Sequence, residues 1–180
     1  MIKRTVELGF FLALALILAY VESLIPFSIG IPGIKLGLPN LIVVLLLYRD
    51  GTEQSNVIDG RKRDGVREAL LVNGLRIILS GFLFSNLYTI LYALAGAVCS
   101  FVAMLLGRRL KCFSMIGVSV LGGVFHNIGQ IIVAILVVET VYVGYYIPYL
   151  IVAGTMTGAV LGFIAMELVP YLYRQSDRLY

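Results

Sequence analysis

The sequence predicts an all-α integral membrane protein: one bundle of six transmembrane helices with both termini on the cytoplasmic side. Three observations predict it. The chain is 60% hydrophobic and only 13% charged, where an ordinary soluble domain carries about 25% charged residues. Its apolar residues fall into long runs parted by short polar or Pro- and Gly-rich segments. The cations are unevenly placed. Of 14 Lys and Arg, twelve fall in segments that six spans put on one side: Lys3, Arg4, Arg49, Arg61, Lys62, Arg63, Arg67, Arg108, Arg109, Lys111, Arg174 and Arg178. Short loops rich in Lys and Arg stay cytoplasmic. Lys35 alone falls on the other side, and Arg76 alone lies inside a span.

Helix 1 is expected over about 5–25, close to the ~20 residues that cross hydrocarbon. It resembles a signal peptide but lacks a small-residue cleavage site, so it reads as a retained span. The outer segment 26–35 is rich in Pro and Gly. Helix 2, 36–48, is short. At ~1.5 Å per residue it reaches about 20 Å, less than the ~30 Å hydrocarbon core. The backbone before it therefore dips into the membrane, which is tolerated only where protein buries it or a wet cavity hydrates it. Residues 49–67 form a polar cytoplasmic loop. Helix 3 runs over 66–84, a tight turn at Ser85-Asn86 follows, and helix 4 covers 87–107. Helix 5 covers 114–138 and helix 6 covers 147–173. Tyr142, Tyr145, Tyr146 and Tyr149 suit an outer aromatic belt, and Tyr171 and Tyr173 an inner one.

Several function classes are excluded on chemistry. The net charge of +4 comes from loop cations that suit an anionic inner leaflet rather than nucleic acid. There is no Gly-x-x-x-x-Gly-Lys-Ser/Thr phosphate loop, so any ATP is hydrolysed by partner subunits, and no cofactor is expected on this chain. With a single His and no cysteine pair beside it, a metal site is not expected. The sequence offers no Asp-rich magnesium diphosphate motif and no nucleophilic triad, so the chain is not read as an enzyme. Cys99 and Cys112 show no pairing logic.

The candidate binding residues are polar groups at membrane depth. Arg76 sits near the midplane, where an Arg costs ~2.5–3.5 kcal/mol on insertion scales. A carboxylate such as Glu22, helix-end carbonyls or an anionic ligand must offset it. Asn73 lies one turn away. His126, Asn127 and Gln130 place three polar side chains within five residues of an apolar helix, with His126 and Gln130 on one face. They read either as interhelical hydrogen bonds or as ligand contacts. Lys35 and Asn40 flank the start of helix 2, whose N-terminal N–H groups favour an anion. Small residues mark close helix contacts: Ala15 and Ala19 in helix 1, and Gly154, Gly158 and Gly162 in helix 6. The glycines are read as packing within the bundle. For the alanines, bundle packing and an outside partner both remain open.

The Pro-Gly-Ile-Lys-Leu-Gly-Leu-Pro-Asn stretch (32–40), the His-Asn-Ile-Gly-Gln run (126–130) and the Tyr-Ile-Pro-Tyr-Leu to Gly-Thr-Met-Thr-Gly stretch (146–158) resemble the bacterial Gx transporter family. That family is also labelled heptaprenyl diphosphate synthase component I. It is similar in turn to the substrate-binding S-components of energy-coupling factor (ECF) transporters. The resemblance implies a six-helix S-component-like bundle in the bacterial cytoplasmic membrane, a capping first loop, and a helix 1 Ala-x-x-x-Ala motif, here Ala15 and Ala19, that docks on a transmembrane coupling subunit. It further implies two ABC ATPases as partners and a small-molecule substrate. A vitamin, flavin or isoprenoid or quinone precursor would fit. The synthase label leaves a second expectation, a membrane subunit or scaffold for a prenyl diphosphate or quinone enzyme.

Overall fold

The computed structural model describes residues 2–24, 36–48, 65–84, 86–110 and 112–178. Among these residues the chain is helical throughout, with no strand: α1 (Ile2–Leu24), α2 (Asn40–Tyr48), α3 (Gly65–Phe84), α4 (Leu87–Arg109), α5 (Met115–Val138) and α6 (Ile147–Arg178). A 3-10 stretch, Val141–Tyr146, leads into α6. Four segments are long and apolar enough to cross a bilayer: Arg4–Leu24, Leu87–Arg109, Met115–Val138 and Val141–Leu172.

Local chemistry sets the helix ends. Asn86 caps α4, its Oδ1 accepting from Thr89 N at 2.9 Å and from Thr89 Oγ1 at 3.0 Å. Ser114 caps α5 through Gly117 N at 3.2 Å. At the other end of α5 the chain turns through Glu139 in the left-handed region, φ 53°. The start of helix 2 differs from the sequence expectation. It begins at Asn40 rather than residue 36, because Gly37 takes φ 84° and a residue before proline, here Leu38, is disfavoured in helical backbone. Nine residues at ~1.5 Å give only about 14 Å of helix. The other helices begin and end within a few residues of expectation, α6 running on to Arg178.

α5 is the hub, packing most extensively on α4 and α6, and glycine makes those crossings possible. A Cβ on Gly129 would meet Ala95 O at 2.6 Å, and one on Gly154 would meet Gly123 O at 2.8 Å. Gly158 and Gly162 face Val120, Ser119 and Ile116 of α5 in the same way. The small residues of helix 6 thus lie against the chain's own α5. α1 packs chiefly on α3 and runs parallel to it. The Arg4 guanidinium pairs with Glu68 at 2.6 Å near their starts, and the Tyr20 and Phe84 rings meet at 5.1 Å near their ends. α2 sits between them and α6, buried from Asn40 to Leu47. A helix apolar all round is a buried one, and α2 forms the centre of the main core cluster with Phe11, Val72, Met104 and Leu161.

The polarity of α3 runs inside-out. Its buried face carries Glu68, Asn73, Arg76 and Ser80, while Leu70, Leu71, Leu75, Ile78 and Phe82 are exposed. Polar groups turned inward and leucines turned outward suit a lipid surround.

Candidate functional site

The site grows from the irregular backbone ahead of α2. Gly37, Pro39 and Asn40 are buried, so their polar groups need partners. Three amide donors are met locally: Asn40 N by Gly37 O at 2.9 Å, Leu41 N by Leu38 O at 3.2 Å and Ile42 N by Pro39 O at 3.1 Å. Two more come from α1. The buried Glu22 Oε1 accepts from Gly37 N and, at 3.2 Å, from Leu38 N. The anion expected at the start of helix 2 is therefore supplied by the chain itself.

Glu22 also answers the cost of Arg76. Arg76 is only 5% exposed. Its Nη2 donates to Asn73 Oδ1 at 2.7 Å, and Glu22 is the carboxylate whose charge acts favourably on it. The hydrogen-bond partner of the guanidinium is Asn73, with the Glu22 charge acting from further off. The Glu22 signal was a lone acid near the outer end of an apolar helix; nothing in its spacing pointed to the backbone of residues 37 and 38.

His126 reaches the same place from α5. A Cβ on Gly37 would lie 3.0 Å from Asn40 Nδ2 and 3.3 Å from His126 Cδ2, and one on Gly96 would lie 2.9 Å from His126 Nδ1. Gly37 and Gly96 are small so that the imidazole can lie between α4 and the turn ahead of α2. Glu22, Asn73, Arg76, Gly37, Asn40 and His126 thus form one chain of neighbours at the level of mid-α5. Asn40 Nδ2 has no hydrogen-bond partner among the described residues. Asn127 turns the other way. Its Nδ2 donates to Leu150 O of α6 at 2.8 Å, while its Oδ1 has no partner among the described residues. Gln130 is fully buried on the His126 face. Lys35 lies outside the described residues, as do the rest of the first outer loop and the loop before α3.

Ala15 and Ala19 are each 2% exposed and belong to an inward stripe of α1 with Phe11 and Glu22. Their small side chains let α1 close on the bundle and bring Glu22 to the turn ahead of α2. The outward face of α1 is instead Val6, Phe10, Ile17, Tyr20 and Val21. Among the described residues no group of three His, Cys, Asp or Glu side chains comes together as a metal site.

The family described as heptaprenyl diphosphate synthase component I matches residues 11–168. The chain belongs to that family. The match runs from Phe11, on the inward stripe of α1, to the last third of α6, and so takes in every residue of the polar cluster. The family is the one to which the 32–40, 126–130 and 146–158 motifs pointed, and it is known as an ECF-like, Gx transporter type. No curated protein and no solved structure matches the chain.

Proposed function

We propose that this chain is the substrate-binding, S-component-like membrane subunit of an ECF-type ABC transporter. One observation carries the reading: a buried Arg, Glu, Asn and His cluster gathered around non-helical backbone, inside a bundle whose outer surface is apolar. Intramembrane ionisable groups at such a place are expensive to keep and mark ligand or ion sites, and irregular backbone at membrane depth is tolerated only where protein buries it or a cavity hydrates it.

All six helices then span, α2 and α3 included. α2 is shielded by its neighbours, and the outward leucines of α3 meet lipid. The basic end, with Arg4, Arg67, Arg108 and Arg109, faces the cytoplasm together with both termini. The bacterial cytoplasmic membrane is its location. The substrate is a small molecule carrying an anionic group, of vitamin, flavin or isoprenoid-precursor size. Arg76, together with Lys35 as the sequence suggests, neutralises that anionic group. His126 and Asn40 orient it, Asn127 and Gln130 complete the wall toward α6, and the exposed Tyr142, Tyr145 and Tyr149 rim the outer end. Two ABC ATPases hydrolyse ATP, and a transmembrane coupling subunit meets an exposed face rather than Ala15 and Ala19. The chain itself performs no chemistry.

The test is to purify the tagged protein from native membranes and identify the small molecules extracted from it by mass spectrometry. One metabolite should be enriched with the wild type and lost with both Arg76→Gln and His126→Asn, each variant keeping its helical content. An identical profile for all three proteins would remove the site. A second reading rests on the family's description, which names a synthase component: a membrane subunit that holds a soluble prenyl diphosphate synthase at the bilayer. It expects that enzyme, and no metabolite, to accompany the chain.

A further inference from the structure

A groove lies between α4 and α5, away from the polar cluster. It has a volume of about 490 Å³ and is lined only by apolar atoms, from Val98 and Phe125 at one end to Leu110 and Phe113 at the other. Its cause is legible. Cys99, Ala103 and Gly107 recur every four residues along one stripe of α4 and form a low floor, with Val102, Leu106 and Leu121 as walls. Twelve residues separate Val98 from Leu110, about 18 Å of helix at ~1.5 Å per residue. That is slightly more than half of a ~30 Å hydrocarbon core. The groove thus runs from the basic end of the bundle to the level of its middle, the reach of one lipid tail.

Its width distinguishes occupants. Even the whole void of about 900 Å³, spread over about 18 Å, is about 50 Å² in section, against roughly 80 Å² for a helix ~10 Å across. A partner helix would rest on the groove without entering it. The mouth is charged. Arg108 and Arg109 occupy the last turn of α4, next to the groove-lining Leu110. Arg108 is held over the Tyr48 ring, 5.5 Å from its centroid, while Arg109 is exposed.

We propose that this groove is a binding site for an anionic phospholipid of the leaflet at the basic end of the bundle. One acyl chain lies between α4 and α5, and the phosphate pairs with Arg109. The site is independent of the transported molecule. It rests on the proposed orientation only for the leaflet's being the cytoplasmic one.

The test is native mass spectrometry of the delipidated, detergent-purified full chain, offered phosphatidylglycerol and phosphatidylcholine in equal amounts. The wild type should retain phosphatidylglycerol about fivefold over phosphatidylcholine, the preference one basic side chain confers near anionic lipid. Arg109→Gln should bring that ratio near one. Val102→Phe adds a ring at a groove position that is 50% exposed, and should cut retention of both lipids several-fold. Val152→Phe, at an exposed position on α6, should change neither. Equal retention of the two lipids by the wild type would overturn the proposal, as would full retention by Val102→Phe or equal loss with Val152→Phe. A polyprenyl phosphate displacing phosphatidylglycerol from the wild type would overturn the choice of occupant.

Discussion

Glu22 is the residue on which the architecture around α2 depends most, and its replacement has a calculable cost. Glu22→Ala leaves Gly37 N and Leu38 N without their acceptor. Each unsatisfied buried N–H costs ~1–3 kcal/mol. It also removes the Glu22 charge that acts favourably on Arg76, while Asn73 still accepts from the guanidinium. The two lost acceptor contacts set the scale, and a total of ~3–5 kcal/mol is expected. Glu22→Gln keeps an acceptor oxygen and forfeits only the charge, a loss of ~1–2 kcal/mol. At ~2–4 °C per kcal/mol for a chain of this size, the alanine variant should melt about 6–20 °C lower and the glutamine variant about 2–8 °C lower. The assay is thermal unfolding followed by circular dichroism, in one detergent at one heating rate, because membrane-protein melting is commonly irreversible. A double-mutant cycle of Glu22→Gln with Arg76→Gln should show a coupling of ~0.5–3 kcal/mol. An alanine variant that melts with the wild type, or strict additivity in the cycle, would refute the reasoning.

Other positions give sharper contrasts. Gly37→Ala places a side chain at φ 84°, 3.0 Å from Asn40 Nδ2; the backbone term alone costs ~1–2 kcal/mol, so a melting point at or above wild type would contradict it. Gly158→Ala would set a Cβ 2.6 Å from Val120 Cα, and the overpacking should cost ~1–3 kcal/mol. Gly74→Ala meets nothing within 4 Å and should stabilise by ~0.5–1 kcal/mol through helix propensity; comparison of the two melting points checks both. Arg4→Gln strips the buried Glu68 of this ion pair and should bring faster hydrogen exchange to the amides of the second turn of α1, the first turn having no intrahelical acceptors, with α5 unchanged.

Much of the helical layout was legible in the sequence because apolar run length is itself a constraint that a bilayer imposes. The spans of helices 3, 4 and 5 came within about two residues because Asn86, Ser114 and the polar loop before α3 punctuate them. The start of helix 2 is hidden in the sequence because the effect of Gly37 is conformational. A glycine at φ 84° and one inside a helix look alike in sequence. Arg76 was legible as an expensive charge. The influence of Glu22 on it was legible only as a possibility, because the two are 54 positions apart and are brought near each other through the packing of α1 on α3. Ala15 and Ala19 show the limit of spacing arguments. Two small residues one turn apart report that something approaches closely, and they read the same whether that neighbour is the chain's own bundle or another protein. The left-handed Glu139 and the 3-10 stretch after it carried no periodic signal at all.

The central claim is that this bundle works as the capture subunit of a larger transport assembly. Its most direct test is affinity purification of the tagged chain from native membranes, with the accompanying proteins identified by mass spectrometry. The account predicts two ABC-type ATPases and a transmembrane coupling protein in fixed proportion to the chain. Recovery of a soluble prenyl diphosphate synthase in their place would contradict it.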